Sequence, residues 1–114
     1  MIEERRVFLK DGRDQIDQMV RHLAKGLNVQ IRYKKVVDLN GELLAFVVAE
    51  KFSARSTSDA TLSLCAYTVG NNLYGFLTSS GGIGGITRMN YGIQERYIDQ
   101  ATTALEEMGF EIYF

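Results

Sequence analysis

From residue 60 to residue 87 the chain carries no charged side chain. A surface normally needs charge to stay in solution. That stretch must therefore be covered, either by the rest of the chain or by another molecule. Its pattern is extended: Leu62, Leu64, Ala66 and Thr68 alternate with Thr61, Ser63, Cys65, Tyr67 and Val69, the period-two signature of a strand. Gly70, Asn71 and Asn72 tolerate left-handed backbone and read as a turn. A second strand over residues 73–79 sets Leu73, Gly75 and Leu77 against Tyr74, Phe76 and Thr78. Both strands offer apolar or small side chains to both sides, which is what central strands of a sheet require.

Asn40-Gly41 lies between two further alternating runs and is a strong signal for a type I′ hairpin, whose two central residues need positive φ. The resulting register sets Leu39 opposite Glu42, Val37 opposite Leu44, Lys35 opposite Phe46, Tyr33 opposite Val48 and Ile31 opposite Glu50. One face then gathers Val29, Ile31, Tyr33, Val37, Leu44, Phe46, Val48 and Phe52, and is expected to be the core face. The other mixes Val36, Leu43, Ala45 and Val47 with Gln30, Arg32, Lys34, Ala49 and Lys51. Its apolar part exceeds what a solvent-facing sheet needs, so a dimer is expected through that face, at Val36, Leu43, Ala45 and Val47, or through an unprotected sheet edge. The sequence lacks proline, one common guard of edge strands against pairing with another chain.

Two amphipathic helices frame these strands. Ile16, Met19, Val20, Leu23 and Leu27 make one apolar stripe, with Asp11 as its cap and Gly26 as its terminator. Ile93, Tyr97, Ala101, Ala104, Leu105 and Met108 make the stripe of a helix over residues 92–108, which Asn90 can cap and Gly109 can end. Short strands are expected over residues 6–10, 86–89 and 110–114, the last docking on an existing sheet edge. The polar residues 53–59 read as a connection. The order is β-α-β-β-β-β-(β)-α-β. It predicts an α+β two-layer sandwich: a mainly antiparallel sheet of five or six strands with two helices on one face. With 114 residues and 46% hydrophobic content, this is a single domain over residues 1–114.

Composition excludes several classes of function. One cysteine makes no intrachain disulfide, and Cys65 in its apolar run reads as a small buried hydrophobe. No apolar run is long enough to span a membrane, and Met1-Ile2-Glu3-Glu4-Arg5-Arg6 has no secretory pattern, so a cytoplasmic location is the default expectation. With 13 Lys+Arg against 14 Asp+Glu, a nucleic-acid footprint is not expected. Gln30, Arg32, Lys34, Lys51 and Arg55 make a basic patch, but the hairpin aromatics that could stack bases fall on the opposite face.

Catalytic constellations are equally sparse. A nucleophilic triad needs a histidine base; His22, the sole histidine, reads as a half-exposed helix residue. One His and one Cys leave no metal-ligand spacing, and nothing calls for a cofactor. Asp14, Asp17, Asp99 and Glu106 read as solvated helix carboxylates. Glu50 sits at the open end of the hairpin, where it could border a pocket. The run Gly81, Gly82, Gly84 and Gly85 invites an anion-binding reading. No lysine follows Lys51, however, and the dinucleotide spacing fails at Thr87. Arg88 is the cation nearest that loop.

Two function classes follow. The leading expectation is a non-enzymatic protein-interaction domain that self-associates as a dimer, with another protein as the other possible partner. The alternative is a regulatory domain that binds a small anionic ligand between sheet and last helix, using Gly81, Gly82, Gly84, Gly85 and Arg88 with Tyr67 and Tyr97. Acid–base catalysis by carboxylate or tyrosine is a third, weaker reading.

Overall fold

In the computed structural model, which describes residues 3–51, 60–81 and 90–113, the strands are β1 (Glu3–Leu9), β2 (Gln30–Leu39), β3 (Glu42–Lys51), β4 (Ala60–Val69), β5 (Asn72–Gly81) and β6 (Glu111–Tyr113). The helices are α1 (Ile16–Leu27), entered through a short 3-10 turn at Arg13–Gln15, and α2 (Asn90–Glu107). All six strands join one antiparallel sheet in the order β2-β3-β4-β5-β1-β6. Both helices pack on one face, the expected α+β architecture. The uncharged segment supplies β4 and β5, which occupy the middle of the sheet. The strand expected over residues 86–89, the connection over 53–59 and Phe52 lie outside the described residues.

Turn chemistry places the chain reversals. Asn40 and Gly41 take φ of +55° and +91°, as the hairpin demands, and Gly70 takes +60° in the two-residue turn between β4 and β5. Gly109, at φ +99°, ends α2: its N–H donates to the Glu106 carbonyl at 2.9 Å and the Phe110 N–H to the Leu105 carbonyl at 3.1 Å. That closure returns the chain so that β6 pairs with β1.

Two local expectations are corrected. Gly26 does not end α1; the left-handed residue is Asn28, with φ +55°. Gly26 instead faces α2, where a Cβ would lie 3.4 Å from the Ala104 Cβ, so its small size lets the helices approach. Asp11 does not cap the helix. It adopts φ +56° in the turn after β1, and its N–H donates to Asn72 Oδ1 at 3.1 Å.

The core lies between sheet and helices. Met19, Val20, Leu23 and Leu27 from α1 and Tyr97, Ile98, Ala101 and Leu105 from α2 meet Val7, Ala45, Val47, Ala49, Leu62, Leu64, Ala66, Leu73 and Leu77. Thus the faces of the β2–β3 hairpin are exchanged relative to expectation. Ala45 is 0% exposed and Val47 is buried beneath the helices, while Phe46 is 45% and Tyr33 48% exposed on the far side. The reason is close packing. Helices can approach the sheet only where its side chains are small, and Gly75 marks that limit: a Cβ there would lie 3.0 Å from Val7 Cγ2 and 3.3 Å from Met19 Cε. Phe46 and Tyr33 would hold a helix too far off.

A bulge sharpens the exchange. The register runs as expected from Leu39 opposite Glu42 to Tyr33 opposite Val48, then shifts between Ile31 and Tyr33. Ile31 now faces Ala49, and Gln30 faces Glu50. Ile31 thereby turns to the helix side, where it borders a small apolar space with Val20, Leu23, Val29 and Val47.

Candidate functional site

Cross-strand pairing assigns the residues of the face opposite the two described helices. From β2 towards β6, one row runs Lys35, Phe46, Cys65, Phe76, Arg6, Tyr113, and the next runs Val37, Leu44, Tyr67, Tyr74, Phe8, Glu111. The rings touch. Phe8 and Tyr74 have centroids 5.0 Å apart; Tyr67 stacks on Tyr74 at 5.4 Å and on Phe76 at 5.8 Å; Tyr33 meets Phe46 edge-on at 6.1 Å. The Arg6 guanidinium lies over the Phe76 ring at 5.8 Å, a cation–π contact. Burial among these rings, with Tyr113 and Tyr74 close by, pushes the Tyr67 phenol above its ordinary pKa. Burial likewise raises the Cys65 thiol, so Cys65 is not an activated nucleophile.

Four of these rings, Phe8, Tyr74, Tyr67 and Phe76, form one cluster, and the Tyr33–Phe46 pair stands apart from it on the same face. Charge surrounds it. Glu50 pairs with Arg32 at 3.2 Å, Glu4 stands beside Thr78, and Lys35 and Glu111 have no ionic partner among the described residues. The basic residues of the other face are engaged too: Lys34 binds Asp17 at 2.9 Å, and Lys51 Nζ lies 5.8 Å from the centre of the Tyr97 ring.

The residues expected to form the interface stand elsewhere. Ala45 and Val47 have no surface left for a partner, and Leu43 packs half-buried against the core. Val36 is exposed, but on the helix side beside Arg13, Asp14, Ile16 and Asp17. The excess apolar content of that face belongs to the core of the chain itself.

Tyr67 and Tyr97, expected together in one pocket, are separated by the sheet. Tyr67 lies in the open aromatic face, whereas Tyr97 lies under α2, 3% exposed. Gly81 ends β5 opposite Ala60; Gly82, Gly84, Gly85 and Arg88 lie outside the described residues. Glu50 is on the open face, not at a pocket rim. Between helices and sheet, the apolar space beside Ile31 holds only about 10 Å³, about one probe sphere and too little for a small molecule. Among the described residues, two polar atoms in this layer are nevertheless buried without a hydrogen-bond partner, Ser79 Oγ and Tyr97 Oη. Burial pushes the Tyr97 phenol above its ordinary pKa.

At one end of the sheet a polar clasp gathers three turns. Arg13 donates to Glu42 and to the carbonyls of Gly41 and Gly70, the last at 2.8 Å. Thr68 Oγ1 donates to Glu42 Oε1 at 3.1 Å and accepts from the Leu43 N–H at 2.9 Å. The Gly70 N–H donates to Glu42 Oε2 at 2.7 Å. These donors, with the Arg13 guanidinium foremost, hold the Glu42 carboxyl below the ordinary carboxylate range. Every acceptor of the clasp is matched within the chain, so it orders turns and offers no reacting atom. His22 bridges to Glu107 at 3.3 Å as a half-exposed helix residue. No group of three or more His, Cys, Asp or Glu that could hold a metal occurs among the described residues, and no helix among them is long and apolar enough to cross a membrane.

No family model matches the chain, and no curated protein matches it in sequence. Solved structures give loose likenesses of arrangement. A START superfamily protein from Mycobacterium smegmatis is 10% identical with TM-score 0.44, over 94% of this chain and 95% of that one. The protein TTHA0849 from Thermus thermophilus is 13% identical with TM-score 0.39, over 94% of each chain. Cyanobacterial PsbP from Synechocystis sp. PCC 6803 is 11% identical with TM-score 0.41; the match covers 85% of this chain and spans 54% of that one. At these values no function is inferred from the likeness.

Proposed function

We propose that this chain is a non-enzymatic protein-interaction domain whose working surface is the uncovered face of the sheet. The observation that carries this reading is the cluster of touching rings Phe76, Tyr67, Tyr74 and Phe8, with the exposed Tyr33–Phe46 pair on the same side of the sheet, opposite both helices. Aromatic side chains bring large apolar area with few rotatable bonds, which suits a contact surface. Nothing on this face resembles a reaction centre: its thiol is raised in pKa and Glu50 is paired. Light scattering across a dilution series tests the reading. An assembly that dissociates on dilution, and that Phe46→Glu abolishes while the circular dichroism spectrum stays native, is the expected result. A wild-type chain that stays monomeric at millimolar concentration and captures no protein overturns it.

A second reading, a small-ligand site between sheet and α2, is favoured by one observation: the unpartnered, buried Ser79 Oγ and Tyr97 Oη. Buried polar atoms ordinarily find a partner, and a ligand or a water could serve. Thermal-shift titration with inorganic phosphate and with a nucleoside monophosphate probes the expected anion class. A saturable stabilisation that Arg88→Ala and Tyr97→Phe each remove supports this reading; no shift with either probe removes it.

A further inference from the structure

Resting on the interaction reading above, we infer that the occupant of the open face is a second copy of this chain. Its place is set by a twofold axis lying between the two sheets and running along the strands. Extent comes first. Six strands spaced about 4.8 Å apart, rising about 3.3 Å per residue, give a face of roughly 800 Å², close to the ~800 Å² per partner of a standard stable interface. The face is almost flat in chemistry at its centre, since β4 and β5 carry no charge. A self-complementary aromatic centre is what a twofold contact needs.

Charge selects the axis. The two ends of the face differ: β2 carries Lys35, which has no ionic partner among the described residues, while β1 and β6 carry Glu4 and Glu111 beside an Arg6 that lies over the Phe76 ring. An axis along the strands reverses strand order between copies and lays β2 of one over β6 and β1 of the other. Lys35 then lies over Tyr113, one row from Glu111, twice, once for each copy, and Phe46 lies over Arg6. An axis across the strands would instead lay β2 over β2 and bring Lys35 against Lys35, a like-charge contact that disfavours that geometry. In the first arrangement the two Cys65 side chains approach one another across the middle of the interface, because β4 is next to the axis in the strand order.

Sedimentation equilibrium of the full chain and four variants tests this. Phe46→Glu, which puts a charge on the exposed apolar side of β3, should raise the dimer Kd at least a hundredfold. Lys35→Glu and Glu111→Lys, each at the rim, should each raise it about three- to tenfold. The double variant should return it to within about twofold of wild type. Cys65 should react slowly with a maleimide in the dimer and quickly in Phe46→Glu. If the wild type dimerises and Phe46→Glu dissociates it, but the two charge changes fail to compensate, the axis is wrong and the interaction reading stands. If the wild type is monomeric and Cys65 reacts equally fast in both, the second copy is excluded. Capture of a different protein by the same face would then leave only the broader reading.

Discussion

The two faces of one sheet are built from the same strands and differ by alternate residues. On the helix side stand Ala45, Val47, Ala49, Leu62, Leu64, Ala66, Leu73, Gly75 and Leu77; on the open side stand Phe46, Val48, Cys65, Tyr67, Tyr74 and Phe76. The smaller set is the better buried. What decides between them is the distance at which a helix can pack, not the apolarity of the individual residues. The larger set is left on the side that the two described helices do not cover, the surface on which the proposed contact rests.

The comparison can be broken most severely from the helix side. Leu77→Ala removes a side chain with no exposure and should lower stability by about 2–5 kcal/mol in urea unfolding; a loss as small as that of an exposed residue would refute the assignment of faces. Gly75→Val inserts a branched side chain where even a Cβ meets Val7 and Met19, and should cost about 1–3 kcal/mol. Phe46→Ser, on the open side, should change the unfolding free energy of the monomer by less than about 1 kcal/mol while weakening any assembly.

Tyr97→Phe sharpens the contrast in a different way. It removes an unpartnered buried hydroxyl, so stability at pH 7 should stay level or rise by up to about 1 kcal/mol. Because the folded pKa of Tyr97 is raised above its unfolded value of 10.0, wild-type stability is full below pH 10 and declines as the pH rises beyond it. The phenylalanine variant should lack that part of the alkaline decline. The smallest effect belongs to Glu42. Its folded pKa is depressed below 4.5, so its contribution is present above pH 4.5 and lost as acid titrates the folded carboxyl. Glu42→Gln should flatten that acid limb of a melting-temperature profile.

Much of the fold was legible in residue order. Asn40-Gly41 set the hairpin and its register as far as Tyr33, Gly70 and Gly109 marked real reversals, the stripe of α1 matched its buried residues, and Tyr97, Ala101, Ala104 and Leu105 of the α2 stripe are buried as expected. Strand alternation also separated the two sets of side chains in β4 and β5 correctly. It could not say which set faces the helices, because alternation is symmetric and apolarity favoured Phe46 and Tyr33. The bulge at Arg32 has no turn residue to announce it, and the role of Gly26 appears only when Ala104 is opposite it. For the candidate face, the sequence singles out Tyr67, though as a pocket residue with Tyr97. The union of its neighbour Tyr74 with Phe8 could not be read, since β1 reaches β5 only through long-range pairing.

That long-range pairing has a consequence for how the chain is made. Among the strands of this sheet β1 leaves the ribosome first, yet both of its sheet neighbours, β5 and β6, are encoded far downstream. The β2–β5 meander can close locally and early, whereas the N-terminal strand has no ladder to join until Asn72–Gly81 has emerged. During synthesis, therefore, the edge of β5 that β1 will occupy stays open, and the nascent chain is most prone to mispairing in the interval before its own beginning returns to fill that edge.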